Sequence, residues 1–246
     1  MEWGTGFNYS EEYEHAESRT DSSVIQQLYS KLSSEDSLRY ILSHKVEVEP
    51  GTRFRYTTGD STVLMGVLKG VYKNNQKNFP WDLLFNELGM KEITFETDLK
   101  GTYVGGAFAY VTARDLAKIG RLYLTGGRHN GKQILPPDWS NYTWAISKTY
   151  KKTDKTKIGL EFQMPGRQWW LNIDRKDESK PKFPQAPRDT YFGIGHWGQY
   201  LIVIPSKDIV AVRFGEDKAA GIPVGDLVAH IVKYVDSIET ESKGVR

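Results

Sequence analysis

The sequence feature that most restricts the fold is a pair of apolar, β-branched runs in the last quarter of the chain. Residues 201–204 (LIVI) and 209–212 (IVAV) are separated by residues 205–208 (PSKD). Two such runs joined by proline and polar residues are typical of neighbouring antiparallel strands. We therefore predict a strand pair formed by residues 191–204 and 209–214.

Helical periodicity dominates the part of the chain before these strands and returns after them. Apolar residues recur at spacings of three and four, which is the period of an amphipathic helix. Polar or acidic residues precede several of these patterns, and Asp60 is predicted to be an N-cap. The predicted helices start near Ser22, Asp36, Asp60, Ala113 and Val224, and further strands are predicted over residues 158–163 and 168–171.

Helices that come first, antiparallel strands that follow and a closing helix define an α+β class, because a parallel sheet would require alternation of the two. The chain has 246 residues, enough for one large domain or two closely packed lobes. We predict one catalytic domain with two parts. Residues 1–155 would form a mostly helical lobe, and residues 156–246 would form the sheet and the C-terminal helix.

Composition excludes several classes of partner. The formal net charge is only +2, with 33 basic and 31 acidic residues, so no broad basic field is available for nucleic acid. The basic run over residues 148–157 is interrupted by Asp154 and is interpreted as a solvated loop. No apolar stretch is long enough to span a bilayer. The chain lacks cysteine, which excludes disulfides and thiolate metal sites.

No cofactor or metal is predicted. Residues 193–198 (GIGHWG) match the glycine pattern of dinucleotide-binding folds, but that pattern requires a following helix, whereas residues 199–204 indicate a strand. The HExxH zinc signature is absent, and the five histidines show no ligand spacing. The glycine pattern is therefore not interpreted as a nucleotide site.

Two segments carry candidate chemistry. In the first, Tyr56 lies two residues before Thr58 at the entry to a predicted helix, and a phenol can exchange protons if a neighbouring cation lowers its pKa. In the second, residues 196–199 (HWGQ) are predicted on a strand, where the Gln199 N–H could stabilise an oxyanion beside His196. Taken alone, the first segment is better explained by an aromatic residue that packs under a turn. The second alone is only weak evidence of a site, since a glycine-rich bulge that enters an edge strand also explains it.

Together with other segments they resemble the superfamily of class C β-lactamases, DD-peptidases and related esterases. The resemblance extends over essentially the whole chain from Trp3 onward and is greatest to the branch that contains 6-aminohexanoate-dimer hydrolases. Five ordered segments are more specific than any one of them. They are the tyrosine motif (50–60), the stretches 111–120 and 126–137, the His-Trp-Gly motif (196–198), and the strands from 195–199 through 212–215.

This resemblance implies a serine hydrolase fold and a set of site residues. Tyr56 would relay protons with its pKa lowered by a lysine, His196 would replace the usual lysine of the third motif, and the Gln199 amide would bind the oxyanion. Threonine replaces the usual asparagine or serine of the tyrosine motif, and histidine in the third motif favours ester or amide substrates over penicillins. The implied substrate-binding residues are Thr58, Gly59, Trp197 and Gly198.

The resemblance also implies a nucleophilic serine in a Ser-x-x-Lys motif, on a helix that precedes the tyrosine motif. The only such spacing in the chain is Ser179–Lys182, in a charged, proline-containing loop that follows the motif and is interpreted as chance. We therefore expect the nucleophile helix and the first sheet strands to lie upstream of Met1, and the chain alone to be inactive.

Two alternatives stay open at this point: a non-catalytic module that binds acyl or peptidoglycan-like ligands, and a fragment without function of its own. The expected partners of the hydrolase are small-molecule esters, amides or peptide-like substrates. Self-association through an exposed sheet edge is a further expectation. The sequence does not determine the compartment, and export of the parent protein to the bacterial cell envelope is one option.

Overall fold

A computed structural model describes residues 2–13, 22–72, 79–153, 164–217 and 222–244. The chain divides into two compact units. The first contains Met1–Thr112 and Ser147–Gly159, and the second contains Ala113–Ile146 and Leu160–Arg246. This division differs from the boundary at residue 155, because residues 113–146 group with the sheet rather than with the helical lobe.

The first unit is mainly helical. Its three short N-terminal helices begin at polar caps, since the side chains of Ser22, Ser30 and Asp36 each accept a hydrogen bond from a backbone N–H three residues later. Helices of this length are stable only when packed, and a buried cluster of Tyr9, Val24 and Ile41 provides that packing. The elements, numbered in chain order, are α1 (Ser23–Tyr29), α2 (Lys31–Glu35), α3 (Ser37–Leu42), α4 (Thr58–Tyr72), the antiparallel pair β1 (Ile93–Phe95) and β2 (Ala109–Val111), and α7 (Lys148–Lys152).

Helix α7 corrects part of one prediction. The basic run at residues 148–157 was interpreted as a solvated loop, but Lys148–Lys152 form a helix whose Tyr150 is fully buried. Ser147 caps this helix by accepting from the Tyr150 N–H at 3.2 Å. The remainder of the run, from Asp154, lies outside the described residues.

The second unit is built on a five-stranded antiparallel sheet with the order β5-β6-β7-β8-β9. The longest pairings are β7 with β8, from Tyr191 opposite Val203, and β8 with β9, from Ile204 opposite Ile209. The elements are α5 (Ala113–Leu124), the hairpin β3 (Arg128–His129) and β4 (Lys132–Gln133), α6 (Trp139–Trp144), β5 (Met164–Pro165), β6 (Trp170–Leu171), β7 (Tyr191–Gly195), β8 (Gln199–Ile204), β9 (Ile209–Arg213) and α8 (Val224–Gly244).

Helix α5 packs on one face of β8 and β9. Gly120 permits the close approach, because a Cβ at this position would lie 2.6 Å from Val210 Cγ1 and 3.0 Å from Leu201 Cδ1. The bounds of α5 agree with the helix predicted from about Ala113 to Leu124. Helices and antiparallel strands in this order confirm the α+β class.

The prediction of one strand over residues 191–204 is wrong. The segment forms two strands, β7 and β8, joined by a turn at residues 196–198. The apolar sequence pattern continues through the turn and does not mark it. Within the turn, Trp197 adopts a left-handed conformation, with φ 56°, that bulky residues rarely take. The predicted strand at 158–163 lies outside the described residues, and only Trp170–Leu171 of the predicted strand 168–171 are in a sheet.

Strand β8 directly follows the glycine pattern at residues 193–198, so the helix that a dinucleotide site needs is replaced by a strand. Within the described residues, no helix combines the length and the apolar composition required to cross a bilayer. In the same part of the chain, no three His, Asp or Glu side chains lie close enough together to hold a metal ion.

Candidate active site

Tyr56 lies in an extended segment that leads directly into α4, in the first unit. The Trp3 ring packs against its ring at a centroid distance of 5.1 Å and an angle of 61°. Burial, followed by the negative charge of Glu11, raises the pKa of Tyr56 to about 12. At neutral pH its side chain is therefore a phenol.

This direction is opposite to the lowered pKa that the resemblance implied for Tyr56. Both causes of the shift act against the phenolate, because burial and a nearby carboxylate each disfavour a second negative charge. A proton acceptor at this position consequently requires a cation close to the Tyr56 oxygen. Tyr56 keeps its predicted role only as a proposal.

The entry to α4 is fixed by a reciprocal pair of hydrogen bonds. Thr57 Oγ1 accepts from the Asp60 N–H at 2.9 Å and donates to Asp60 Oδ1 at 2.6 Å. Asp60 also accepts from the N–H groups of Gly4 and Thr5, at 2.7 and 3.1 Å. The prediction that Asp60 is the N-cap is wrong, since α4 begins at Thr58 and Asp60 lies in its first turn.

Thr58 is buried and is bound on two sides by one carboxylate. Its N–H donates to Glu11 Oε2 at 2.8 Å, and its hydroxyl donates to Glu11 Oε1 at 2.5 Å. The Tyr13 hydroxyl donates to the same Oε1 at 2.9 Å and lies 3.2 Å from Thr58 Oγ1. Burial raises the pKa of Glu11, and the hydrogen bonds from Thr58 and Tyr13 oppose that rise.

Gly59 is also buried, and its surroundings are those of a packing position. A Cβ placed there would lie 3.0 Å from the Tyr9 ring and 3.3 Å from Ile41 Cδ1. The predicted substrate contacts of Thr58 and Gly59 stay predictions, because both residues face the interior of the first unit in this structure.

His196 and Trp197 are exposed at the tip of the β7–β8 hairpin, in the second unit. Their rings stack at 4.7 Å with an interplanar angle of 29°. Gly198 follows at φ 85°, a conformation that glycine adopts without strain. The predicted third motif is therefore a turn that presents two rings to the surface of this unit.

An ion pair secures this turn from the other side. Arg213 donates through one guanidinium nitrogen to the Gly198 carbonyl at 2.9 Å and to Asp217 at 2.6 Å, and through the second nitrogen to Asp217 at 2.8 Å. The Asp217 N–H donates to the Trp197 carbonyl at 3.0 Å. The hydrogen bonds with Arg213 hold the pKa of Asp217 below its usual range.

Gln199 begins β8 opposite Gly195, at the closing pair of the hairpin. Its side-chain amide donates to the Gly215 carbonyl and accepts from the Gly215 N–H. The side chain of Gln199 thus ties the hairpin to the segment after β9. The oxyanion role predicted for its backbone N–H stays a prediction.

Sequence reasoning missed Glu11, Tyr13, Arg213 and Asp217. Thr58, which donates to both oxygens of Glu11, is 47 residues away in sequence, and the neighbouring Glu12 has the same local signal. Arg213 and Asp217 are four residues apart, the spacing of a helical ion pair, but they flank the end of a strand. Ser179, by contrast, behaves as predicted: its hydroxyl donates to Asp177 in an exposed, non-helical loop.

Comparison with known proteins identifies relatives of this chain. A curated relative, the 6-aminohexanoate-dimer hydrolase of Paenarthrobacter ureafaciens, is 26% identical over 168 residues, which are 65% of this chain and 38% of the relative. A solved structure of a 6-aminohexanoate-dimer hydrolase from Bacillus anthracis superposes with a TM-score of 0.60 at 21% identity, covering 84% of this chain and 49% of that one. EstCE1, described as a hydrolase with promiscuous acyltransferase activity, superposes with a TM-score of 0.55 at 17% identity, covering 82% and 62%.

This chain thus spans less than half of the curated hydrolase that it matches. These structural likenesses support the β-lactamase-type fold. The family model named Beta-lactamase matches residues 3–219, which is most of the chain. On that match, this chain belongs to the β-lactamase family.

Proposed function

We propose that this chain supplies part of the active site of a serine hydrolase that cleaves ester or amide bonds through an acyl-enzyme. The observation that carries the proposal is Tyr56, half-buried two residues before the first residue of α4 in a chain of the β-lactamase family. Hydrolase names among the relatives, one of them a 6-aminohexanoate-dimer hydrolase, support the same reaction class.

In the proposed reaction, a serine hydroxyl from a Ser-x-x-Lys segment outside the printed sequence attacks the substrate carbonyl carbon. The serine proton passes to the Tyr56 oxygen as the new C–O bond forms, and backbone N–H donors stabilise the oxyanion. The bond to the leaving alcohol or amine then breaks, and that group takes the proton from Tyr56. Water attacks the acyl-enzyme by the same route, which releases the acid and restores the serine.

The raised pKa of Tyr56 defines what the other segment has to contribute. With a pKa of about 12, the phenol is a poor base at neutral pH. A lysine ammonium beside the phenol oxygen favours the phenolate and lowers that pKa. The lysine of the Ser-x-x-Lys segment would supply that charge.

Hydrolysis of p-nitrophenyl butyrate tests the proposal in two proteins. We expect no turnover by the 246-residue chain and turnover by a longer form that carries the Ser-x-x-Lys segment. In the longer form, Tyr56→Phe should lower kcat/KM by roughly 10²- to 10⁴-fold, the usual contribution of a proton-transferring side chain. Tyr234→Phe is the matched control. It also removes one tyrosine hydroxyl, but from an exposed residue on α8. Turnover by the chain alone that survives Tyr56→Phe would refute the proposal.

A second candidate is a binding module for acyl ligands without turnover. It is favoured by one observation: the chain's only Ser-x-x-Lys spacing lies in an exposed loop, where Ser179 is bonded to Asp177. Saturable binding of a hydrolysis-resistant ester analogue, without turnover in the longer form, would establish it in place of the hydrolase.

We further propose that the 246-residue chain self-associates through β9. This strand ends the five-stranded sheet and is paired on one side only, by β8, within the described residues. Unpaired strand edges bind other strands. The occupant in the isolated chain would be β9 of a second copy, since an antiparallel pair of identical strands is self-complementary.

A further inference from the structure

We propose that Trp3 is a positioning residue for Tyr56 and acts in the reaction through Tyr56 rather than on the substrate. The inference rests on the proposed function, because positioning matters to the rate only if Tyr56 transfers protons. It goes beyond that function by assigning a role to the segment of residues 3–5, which is far from Tyr56 in sequence.

The first argument is that Trp3 contacts three consecutive residues of the segment that carries Tyr56. The Trp3 ring packs edge-on against the Tyr56 ring, at a centroid distance of 5.1 Å, and against the Phe54 ring, at 6.0 Å. Between these two residues, the Arg55 N–H donates to the Trp3 carbonyl at 3.2 Å. Edge-to-face aromatic pairs have a preferred geometry. Trp3 therefore holds the backbone at Arg55 and the rings on both sides of it.

The second argument is that residues 4 and 5 are anchored to the helix that follows Tyr56. The N–H groups of Gly4 and Thr5 donate to Asp60 Oδ2 at 2.7 and 3.1 Å, and the Thr5 hydroxyl donates to Asp60 Oδ1 at 2.6 Å. The Thr57 hydroxyl donates to the same Oδ1 at 2.6 Å. Hydrogen bonds to a carboxylate are stronger than those between neutral groups. The chain is consequently held on both sides of Tyr56.

Helix α7 supports the same segment. The Phe54 N–H donates to Thr153 Oγ1 at 2.6 Å, and the Phe54 ring contacts that of Tyr150 at 5.9 Å. Tyr150 is fully buried, and Trp3 is only 4% exposed. Because protein interiors are close-packed, a buried ring cannot move without displacing its neighbours. Trp3 thus provides a rigid support for the rings that it contacts.

The third argument is that Tyr56 differs in exposure from the residues that hold it. Trp3 and Phe54 are buried, whereas Tyr56 is half-buried, so part of the Tyr56 side chain stays accessible to another group. A side chain that transfers protons has to lie within hydrogen-bond reach of the reacting atoms. A displacement of about 1 Å can cost about 10²-fold in rate. Packing against Trp3 supplies the required fixed position.

Amide hydrogen exchange of the 246-residue chain tests whether Trp3 holds this segment. In Trp3→Leu, we expect the Arg55 N–H to exchange about fivefold faster or more than in wild type, because the segment opens locally more often. Trp169→Leu is the matched control, since it removes a buried tryptophan of the second unit and should leave exchange at Arg55 unchanged. Wild-type exchange of the Arg55 N–H in Trp3→Leu would overturn the inference.

Hydrolysis of p-nitrophenyl butyrate by the longer form tests the contribution of Trp3 to the reaction. Rates are expressed per active site, counted by stoichiometric labelling with a fluorophosphonate, so that unfolded protein does not contribute. We expect Trp3→Leu to lower kcat about tenfold or more while KM stays within about twofold. Trp3→Phe restores an aromatic ring and should recover most of kcat. A tryptophan that only stabilised the fold would leave kcat per active site unchanged.

Two kinetic results would contradict positioning by Trp3: wild-type kcat in Trp3→Leu, or a loss of the same size in Trp169→Leu. If Trp3→Leu does not fold by circular dichroism, Thr5→Val replaces it in both experiments. That variant removes only the hydroxyl that donates to Asp60. It should lower kcat several-fold at unchanged KM, and wild-type kcat in Thr5→Val would equally contradict the inference.

The outcome is separable from that of the proposed function. If the wild-type longer form hydrolyses nothing, the proposed function fails, and a role for Trp3 in the reaction fails with it. If the wild-type longer form and its Trp3→Leu variant hydrolyse the ester with the same kcat, the hydrolase stands and only the positioning role is removed.

Discussion

At the scale of single residues, acidic side chains organise the first unit by capping backbone that lies far away in sequence. Glu11 binds Thr58, Asp60 binds Gly4 and Thr5, and Glu2 binds the start of α7. Each carboxylate satisfies N–H groups that a helix end or an extended segment leaves unpaired. The N-terminal segment is therefore held to this unit by hydrogen bonds to charged groups.

Glu2 allows a prediction about stability and pH. Its carboxylate accepts from the Thr149 N–H at 2.5 Å and from the Ser147 hydroxyl at 2.8 Å. Burial acts to raise the pKa of Glu2, but the hydrogen bonds from Thr149 and Ser147 outweigh it and lower the pKa to about 2, from an ordinary value of 4.5. A lowered folded-state pKa means that the stabilisation is complete above about pH 4.5 and is lost as the pH falls toward 2.

We therefore expect Glu2→Gln to lower the free energy of unfolding at pH 7 by about 1 kcal/mol, the size of a lost cap. The difference from wild type should shrink between pH 4.5 and pH 2, as measured by urea unfolding at a series of pH values. Glu12→Gln, an exposed change of the same kind, should stay within about 0.5 kcal/mol throughout. A difference that is constant with pH would show that the charge of Glu2 is not responsible.

At the scale of elements, the β7–β8 hairpin is held by side chains from β9 and the residues after it. Arg213 joins the Gly198 carbonyl to Asp217, and Gln199 bonds to Gly215. Arginine suits this place, because its planar fork donates to a carbonyl and a carboxylate together. The turn that exposes His196 therefore depends on contacts from residues 213–217, which lie outside the turn.

Arg213→Lys is expected to loosen this turn, because an ammonium cannot bridge both acceptors in the same geometry. The Asp217 N–H, which donates to the Trp197 carbonyl, should exchange with solvent several-fold faster than in wild type. Hydrogen exchange followed by NMR measures this directly. Lys180→Met removes the exposed ion pair with Asp177 and serves as the control. Unchanged exchange at Asp217 in Arg213→Lys would mean that the ion pair does not secure the turn.

Some of these elements are predictable from local sequence patterns and others are not. Helix α5 was predicted with its bounds because its apolar residues repeat regularly up to a glycine stop. The turn at residues 196–198 was missed, because Trp197 in a left-handed conformation carries no local signal. Tyr56 was located by resemblance, whereas Glu11 could not be, since its role depends on Thr58 47 residues later. Local sequence patterns therefore predict helices such as α5, whereas the contacts around Tyr56 and Thr58 come from residues that are distant in sequence.

At the scale of the whole molecule, the second unit presents a sheet whose last strand has one neighbour among the described residues. Along β9, Val210 faces α5, where it contacts the Gly120 position, and Ala211 projects from the opposite face because side chains alternate along a strand. One face of β9 therefore packs against α5, and the backbone groups along its edge can bind another strand.

The prediction from this edge is that the 246-residue chain has a concentration-dependent mass above 28.1 kDa in sedimentation equilibrium. Ala211→Lys should shift the equilibrium toward the monomer, because a lysine on an edge strand opposes pairing by charge and desolvation. Val71→Lys adds the same charge at an exposed position of α4 in the first unit and should leave the association unchanged. A single species of 28.1 kDa from micromolar to hundreds of micromolar concentration would contradict edge pairing between copies. If the longer form with the Ser-x-x-Lys segment is monomeric while the shorter chain associates, the edge is occupied within the longer protein by its own strands.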